Sequence, residues 1–449
     1  MRVHAILQVA TACWLSVLIA FVLGAGAARA VPAFAAQTGL PCQACHVGGF
    51  GPQLTPFGRN FKLHGYTQRA TSFSVPISAM AMASYIRTDK AQSAPPAADF
   101  RTNDNVAVDQ FSLFLAGGLG AHLGAFVQAT YDGVARAFSW DNLDLRATTD
   151  VRIKGADVVL GASLNNSPSV QDAWNTLPAW GYPYTTSALA PSPGAAPLLS
   201  GALAQTSLGL TGYAWINGMF FVEAGAYGSP GATALTRLGA DPTAPGDIAG
   251  LAPYGRIAWQ RAFGGATVEV GGFGLRADIH PGLDRSTGVV DRYTDLGLDA
   301  SYFRTLQSGD VVTVNARYLH EDQRLSATCA LAGASGCARN TLTDIRADAA
   351  YYWRNKVGVT VAAFDTFGSA NPILYAADRT ARPDSSGVML QLDGTPFGGE
   401  PQPARRVNVR LGVQYTLYTQ FNGARRNFDG AGANASDNNT LRVFTWFAF

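Results

Sequence analysis

Hydrophobic and polar residues alternate along most of the chain. "VNVRLGVQYTLY" sets Val407, Val409, Leu411, Val413, Tyr415 and Leu417 on one side, with Asn408, Arg410, Gly412, Gln414 and Thr416 on the other. "AHLGAFVQATYD" sets Leu123, Ala125, Val127, Ala129 and Tyr131 against His122, Gln128, Thr130 and Asp132. "DIRADAAYYWR" separates Ile345, Ala347, Ala349, Tyr351 and Trp353 from Asp344, Arg346, Asp348 and Arg354. Successive side chains of a strand point to opposite faces, so each segment predicts a strand with one apolar and one polar face. Roughly 16 such segments are legible by this period-two rule. They begin near residues 73, 106, 121, 139, 151, 204, 218, 252, 265, 291, 309, 340, 356, 385, 404 and 437.

A soluble sandwich alternates in the same way. Three features favour a transmembrane barrel instead. The polar faces carry Arg, Asp and Glu in mid-strand, as an aqueous or plugged lumen permits, and the apolar faces place Tyr or Trp toward their ends. The chain also closes on "LRVFTWFAF", an alternating strand ending in Phe449, similar to the terminal signal of outer-membrane barrels. Connections alternate between tight turns (near 119, 217, 264 and 355) and long polar loops. With a periplasmic N-terminus, short turns fall inside and long loops outside; "TPFGGEPQPAR", near 400, is a longer exception. The expected fold is all-β: an antiparallel barrel of about 16 strands over residues 71–449, an even number as bacterial barrels require.

Charged residues make up only 14% of the chain, yet no stretch beyond the first 30 residues is apolar for the 18 or more positions a spanning helix needs. The opening "MRVHAILQVATACWLSVLIAFVLGAGAARA" predicts a secretory signal cleaved after Ala28-Arg29-Ala30. Loss of Arg2 and Arg29 leaves 31 Lys and Arg against 31 Asp and Glu. A neutral mature chain lacks the basic footprint of nucleic-acid binding.

The five cysteines divide cleanly. Cys13 leaves with the signal. Cys42 and Cys45 belong to Cys42-Gln-Ala-Cys45-His46, the attachment signature of a c-type haem: two thiols add across the vinyl groups and His46 ligates iron as the proximal ligand. Zinc would need more Cys or His ligands in a closed tetrahedral set. Cys329 and Cys337, across "CALAGASGC", predict a disulfide in an oxidising compartment, contributing about 2–3 kcal/mol in the chain-entropy account. A haem segment of residues 31–70 is too small to bury a core alone. A barrel of this size is wide enough to hold it as a plug.

Three stretches carry a family resemblance: "QTGLPCQACHVGGFGPQLTPFGRNFKLHGYT" (37–67), "GAFVQATYD" (124–132) and "GASLNNSPSVQDAWNTLPAWGYPY" (161–184). On these residues the chain resembles the outer-membrane monohaem cytochrome–porin fusions of iron-oxidising bacteria. The resemblance implies one covalent haem c in or at the barrel. It implies outer-sphere transfer of electrons from extracellular Fe(II), or another reductant, to a periplasmic c-type cytochrome or similar carrier. The partners are then outer-membrane lipid and these redox carriers, with no acid, base or nucleophile at work. Two other functions remain open: a solute-conducting porin with a haem-bearing structural or sensory plug, and a haem catalyst such as a peroxidase, which needs an open iron position.

The sixth iron ligand has several candidates. Met80 and Met82 face inward if Ile77, Ala79 and Ala81 face lipid, and thioether ligation raises the potential. His64 in "KLHGY" is nearest in sequence and would give a bis-His site; His122, expected to point inward beside a turn, is a third option. Arg59 and Lys62 could pair with haem propionates, or with lumen acids such as Asp295 and Asp299. Gly48, Gly49 and Gly51 would let backbone approach the haem edge. The longest connection, about 165–203, carries Trp174, Trp180, Tyr182 and Tyr184 and is expected to fold across the mouth or into the lumen. Glu321 and Asp322 read as exposed acids, ordinary surface charges that could also offer oxygen ligands to an incoming ferrous ion, and no iron site is named on them.

Overall fold

The computed structural model describes residues 33–69, 77–398 and 407–449. The expected signal segment, 1–30, lies outside these residues, as does most of the connection near 400. Seventeen strands form one sheet. They are β1 Ile77–Thr88, β2 Asn105–Leu119, β3 Leu123–Asp132, β4 Ala137–Ile153, β5 Ala156–Asn165 and β6 Leu208–Ile216. There follow β7 Phe220–Gly228, β8 Gly246–Ile248, β9 Ala252–Phe263, β10 Ala266–Pro281, β11 Asp291–Thr305 and β12 Val311–Leu325. The last five are β13 Arg339–Trp353, β14 Val357–Gly368, β15 Ser385–Gly394, β16 Asn408–Gln420 and β17 Thr440–Ala448. Strand β8 is three residues long and extends the wall beside the end of β10. The other sixteen pair antiparallel with their neighbours, and β1 closes the ring on β17 from Met80↔Ala448 to Thr88↔Thr440. Phe449 completes the seam by exchanging backbone hydrogen bonds with Ala79. Closure removes every free edge, which a sandwich could not do.

The sixteen expected strands all exist, with starts shifted by a few residues. The largest shift is at the start of the fifth strand. Val151 was expected to open a new strand, but β4 runs on to Ile153 and the chain turns at Lys154-Gly155, whose φ values are 49° and 87°. Both are left-handed, as a two-residue hairpin turn requires. Asn217-Gly218 (52°, 66°) and Gly264-Gly265 (55°, 80°) turn the same way at the same end.

The outer surface is apolar. Leu113, Leu115, Val222, Ile257, Leu296, Leu298, Val359, Val361, Leu390, Leu392, Leu411 and Val413 are all exposed. Exposed Phe220, Phe263 and Trp353 ring the short-turn end, and Phe138 and Phe367 the long-loop end. A continuous exposed apolar belt with aromatic rims is the surface a bilayer solvates, not water.

The interior is filled. Residues 33–69 form helices α1 Ala33–Thr38, α2 Cys42–Cys45 and α3 Pro56–Leu63 inside the short-turn end. Contacts reach the wall nearly all round: Gln37 to Gly118, Tyr213 Oη to Leu63 O, Gln53 to Thr313, and Thr395 to Gly48 O. The long connection 166–207 does both: its first part descends into the lumen, and its middle reaches the long-loop end, where Pro191 O accepts from Tyr418 Oη at 2.7 Å and Gly194 N donates to Asn422 Oδ1 at 3.1 Å. Trp174 and Leu177 pack fully buried against wall residues including Tyr213, Trp215, Tyr254 and Phe273.

Four buried wall arginines fix both insertions. Arg146 is held by Asp144 at 2.8 Å; it donates to Lys62 O at 3.0 Å and also to Gln171 O. Arg410 is held by Asp393 at 2.7 Å and donates to Phe50 O at 2.6 Å. Arg442, beside Asp109, donates to Thr185 O at 2.8 Å. Arg256 binds Asp299 and Glu269 in the wall and Asp172 of the long connection at 3.4 Å. Charge-assisted bonds of this kind are short and directional, and here each guanidinium is neutralised by its own wall while gripping an insertion.

Arg146→Ala should therefore destabilise the folded barrel by about 3–5 kcal/mol, because Asp144 is left buried and unpaired. Denaturant unfolding in detergent micelles measures this. A loss below about 1 kcal/mol, the worth of an exposed pair, would contradict the clamp.

Candidate functional site

The CxxCH stretch is held by its own short helices and by the wall. Helix α3 begins at Thr55, whose Oγ1 accepts from Gly58 N at 3.2 Å and donates to Ala44 O at 2.6 Å, tying the start of α3 to α2. Pro56 occupies the first turn, where its missing N–H costs nothing. Thr55 N donates to Cys45 O at 2.9 Å. Gly58 allows this approach: a Cβ there would lie 2.3 Å from the Cys45 carbonyl oxygen. The glycine of the "FGR" motif is thus explained by packing against the CxxCH turn. From the wall, Asn355 donates to His46 O at 3.1 Å and accepts from Gly48 N at 2.7 Å.

Between this segment and the wall formed by β17, β1, β2 and β3 lies a cavity of about 370 Å³. Cys42, Cys45 and His46 border it from the inserted segment; Met80, Met82, Phe114, Phe126 and Trp446 border it from the wall. Trp180 and Tyr184 of the long connection border it too. The space is mostly apolar with a few convergent polar groups, the usual character of a cofactor site. Burial pushes the His46 imidazole down to about 4, leaving it neutral with a free lone pair, and its Nδ1 has no hydrogen-bond partner. Burial raises both thiols, Cys45 to about 11. Among the described residues no cluster of three or more His, Cys, Asp or Glu is arranged to hold a metal ion alone, so the closed set zinc needs is not built. The residues present fit a porphyrin with its iron: two adjacent thiols, a neutral imidazole, and an apolar slot on the same side.

Met80 and Met82 both face this cavity from β1, as the alternation predicts. His64 does not border it. It caps α3, with Nδ1 2.8 Å from Asn60 O and Nε2 3.6 Å from Asp150 of β4. His122 does not point inward: it sits exposed in the turn before β3, with Nδ1 2.9 Å from Thr148 O, because the strand begins one residue later. The two basic residues divide. Lys62 borders the cavity, donates to Val170 O and Asn175 Oδ1 at 2.8 Å, and lies 4.9 Å from the Trp180 ring. Burial pulls its ammonium down to about 7. Arg59 is buried away from the cavity, under the influence of Glu269, Asp172 and Asp299.

Two further expectations change, and the expected disulfide is present. Gly48, Gly49 and Gly51 have positive φ, and a side chain on them would strike Tyr352, Thr395 and Trp446. They bring the backbone close to the barrel wall; Gly51 alone of the three also borders the cavity. Glu321 is not exposed: strand parity points it inward, 1% exposed, while Asp322 points out. Cys329 and Cys337 are joined as a disulfide, their Cα atoms 6.0 Å apart, in the 326–338 connection far along the chain from the cavity. Trp446, which borders the cavity, and Arg442, which holds the Met82 sulfur, carried no sequence signal beyond lying on the alternating terminal strand.

No family model and no curated protein matches the chain, so the resemblance of residues 37–67 rests on those residues alone. Among solved structures the chain is similar to the outer membrane channel DcaP of Acinetobacter baumannii, at 11% identity and a TM-score of 0.45, covering 86% of this chain and 99% of that one. It is similar to OprB of Pseudomonas putida at 12% identity and a TM-score of 0.46, covering 83% and 94%. A third is Salmonella typhi OmpF in complex with daunomycin, at 10% identity and a TM-score of 0.44, covering 84% and 97%.

Gly58→Ala should push α3 off the Cys45 carbonyl. The overpacking cost is about 1–3 kcal/mol. Covalent haem per chain, read as pyridine haemochrome, should fall at least twofold. Unchanged loading would contradict the assigned role of Gly58.

Proposed function

We propose that the chain is an outer-membrane electron conduit. In this reading a single haem c is bound through Cys42 and Cys45 and ligated by His46, and electrons pass by outer-sphere transfer from an extracellular donor, Fe(II) above all, to a periplasmic c-type cytochrome. The observation that carries it is the apolar cavity bordered by the whole attachment motif inside a lumen that is otherwise filled. When bound, the haem supplies a one-electron Fe(III)/Fe(II) couple. The protein's residues supply the rest. Lys62, buried at the cavity with its ammonium on Val170 O and Asn175 Oδ1, is placed to pair with a propionate. Trp180, Phe126 and Phe114 exclude water, and the arginine clamps hold the inserted segment in a bilayer-spanning wall. Lipid solvates the exposed Leu and Val belt, which fits a bacterial outer membrane.

The competing reading is a solute-conducting porin with a structural or sensory plug. Its support is the porin-like barrel itself and a lumen lined by charged pairs such as Arg317–Asp344. The inserted segments support the conduit: residues 33–69 and 166–207 occupy lumen space that a porin leaves to its solutes, and the cavity left beside them is bordered by the attachment motif.

Two measurements separate these readings. Purified haem-loaded protein in planar bilayers should show no steady single-channel current, and anaerobic ferrous iron should reduce its haem. A large steady current without reduction would establish the porin. Cys42→Ala should abolish normal haem attachment and Fe(II)-dependent reduction together; retained reduction in that variant would refute the assignment.

A further inference from the structure

Two methionine sulfurs face the same cavity, and their surroundings differ. Met82 Sδ lies 3.3 Å from Nη2 of Arg442. That guanidinium is itself fixed by Asp109 at 3.2 Å and by Thr185 O and Oγ1 at 2.8 and 2.7 Å. Met82 is 2% exposed and locked in a packed cluster with Cys42, Phe50 and Trp446. Met80, one strand repeat nearer the short-turn end, is only partly buried and packs at the edge of that cluster. Its sulfur accepts a hydrogen bond from Trp446 Nε1 at 3.1 Å.

We propose that Met80 supplies the sixth ligand of the iron bound by His46, and that Trp446 is a positioning residue for its sulfur. This inference rests on the haem reading above. A thioether sulfur has two lone pairs: one can be given to iron while the other keeps the indole N–H. That hydrogen bond draws electron density from the ligand, favours the reduced metal, and adds to the rise in potential that methionine ligation brings. Met82 is excluded by packing: it is almost fully buried, locked against Cys42, Phe50 and Trp446, and its sulfur is already engaged by the clamped Arg442 guanidinium. His64 is excluded by direction: its ring is engaged by Asn60 and Asp150, away from the cavity. The Met80 sulfur meets neutral donors, Trp446 Nε1 at 3.1 Å and, at a longer 3.9 Å, Gln110 Nε2, so giving one lone pair to iron displaces no more than the longer contact.

The test uses the full-length, haem-loaded protein in detergent, with Met80→Ala, Met82→Leu, Met80→His and Trp446→Phe beside it. Oxidised wild type should show the sulfur-to-iron charge-transfer band. Met80→Ala should lose it, with a lowered midpoint potential and carbon monoxide binding on reduction. Met82→Leu should keep it. Trp446→Phe should keep it at a lowered potential. Met80→His guards against simple misfolding: it should restore a six-coordinate, low-spin iron without the band. Persistence of the band in Met80→Ala, its loss in Met82→Leu alone, or a high-spin Met80→His would overturn the assignment. Wild type with covalent haem but no band would also overturn it while leaving the haem reading standing; wild type without covalent haem would end both.

Discussion

Everything inside this barrel depends on buried guanidinium groups that are neutralised by the wall and satisfied by inserted backbone. A closed ring of sixteen long strands leaves a lumen lined by whatever its inward positions carry. Here those positions carry Arg146, Arg256, Arg410 and Arg442, each beside a wall carboxylate. A buried ion pair is a poor source of stability by itself, since desolvation offsets most of the Coulomb gain. It becomes useful when the spare N–H donors find acceptors that nothing else can satisfy. Carbonyls of irregular backbone are such acceptors. The wall thus specifies where an inserted segment lies, and two inserted segments use it.

That constraint determines the shape of the cavity. The N-terminal segment is pinned through Phe50 O and Lys62 O, both following its CxxCH motif in the chain. The long connection is pinned through Gln171, Asp172 and Thr185. What remains between them and the β17–β1–β2–β3 wall is a slot of about 370 Å³ faced by two thiols, one imidazole and two thioethers. Electron transfer across a bilayer needs a redox centre held in a medium that excludes both lipid and bulk water. A barrel plugged in this way provides one, whereas an open porin does not.

Much of this was legible in the sequence. Period-two alternation is set by strand geometry, so the sixteen strands and their inward faces could be read from Leu411 against Arg410 or Ile345 against Asp344. Turn chemistry was weaker evidence, and the Lys154-Gly155 hairpin was passed over because Val151 looked like a fresh start. The attachment motif and the inward methionines were plain. Direction within irregular segments was not: His64 and His122 differ from His46 in where their loops aim them, which depends on contacts to Asp150 and Thr148 made by distant strands. Glu321 is expected to be exposed, but it continues the inward parity of β12 and is buried. Nor could sequence show that the "FGR" glycine answers to a carbonyl thirteen residues before it.

The central claim is that an iron porphyrin occupies the slot inside the barrel. X-ray diffraction from crystals of the purified protein, collected at the iron absorption edge, tests it most directly. The account predicts one anomalous peak per chain, within the wall, between His46 and the β1 seam. No peak, or a peak beyond the barrel with the slot closed by side chains, would contradict it.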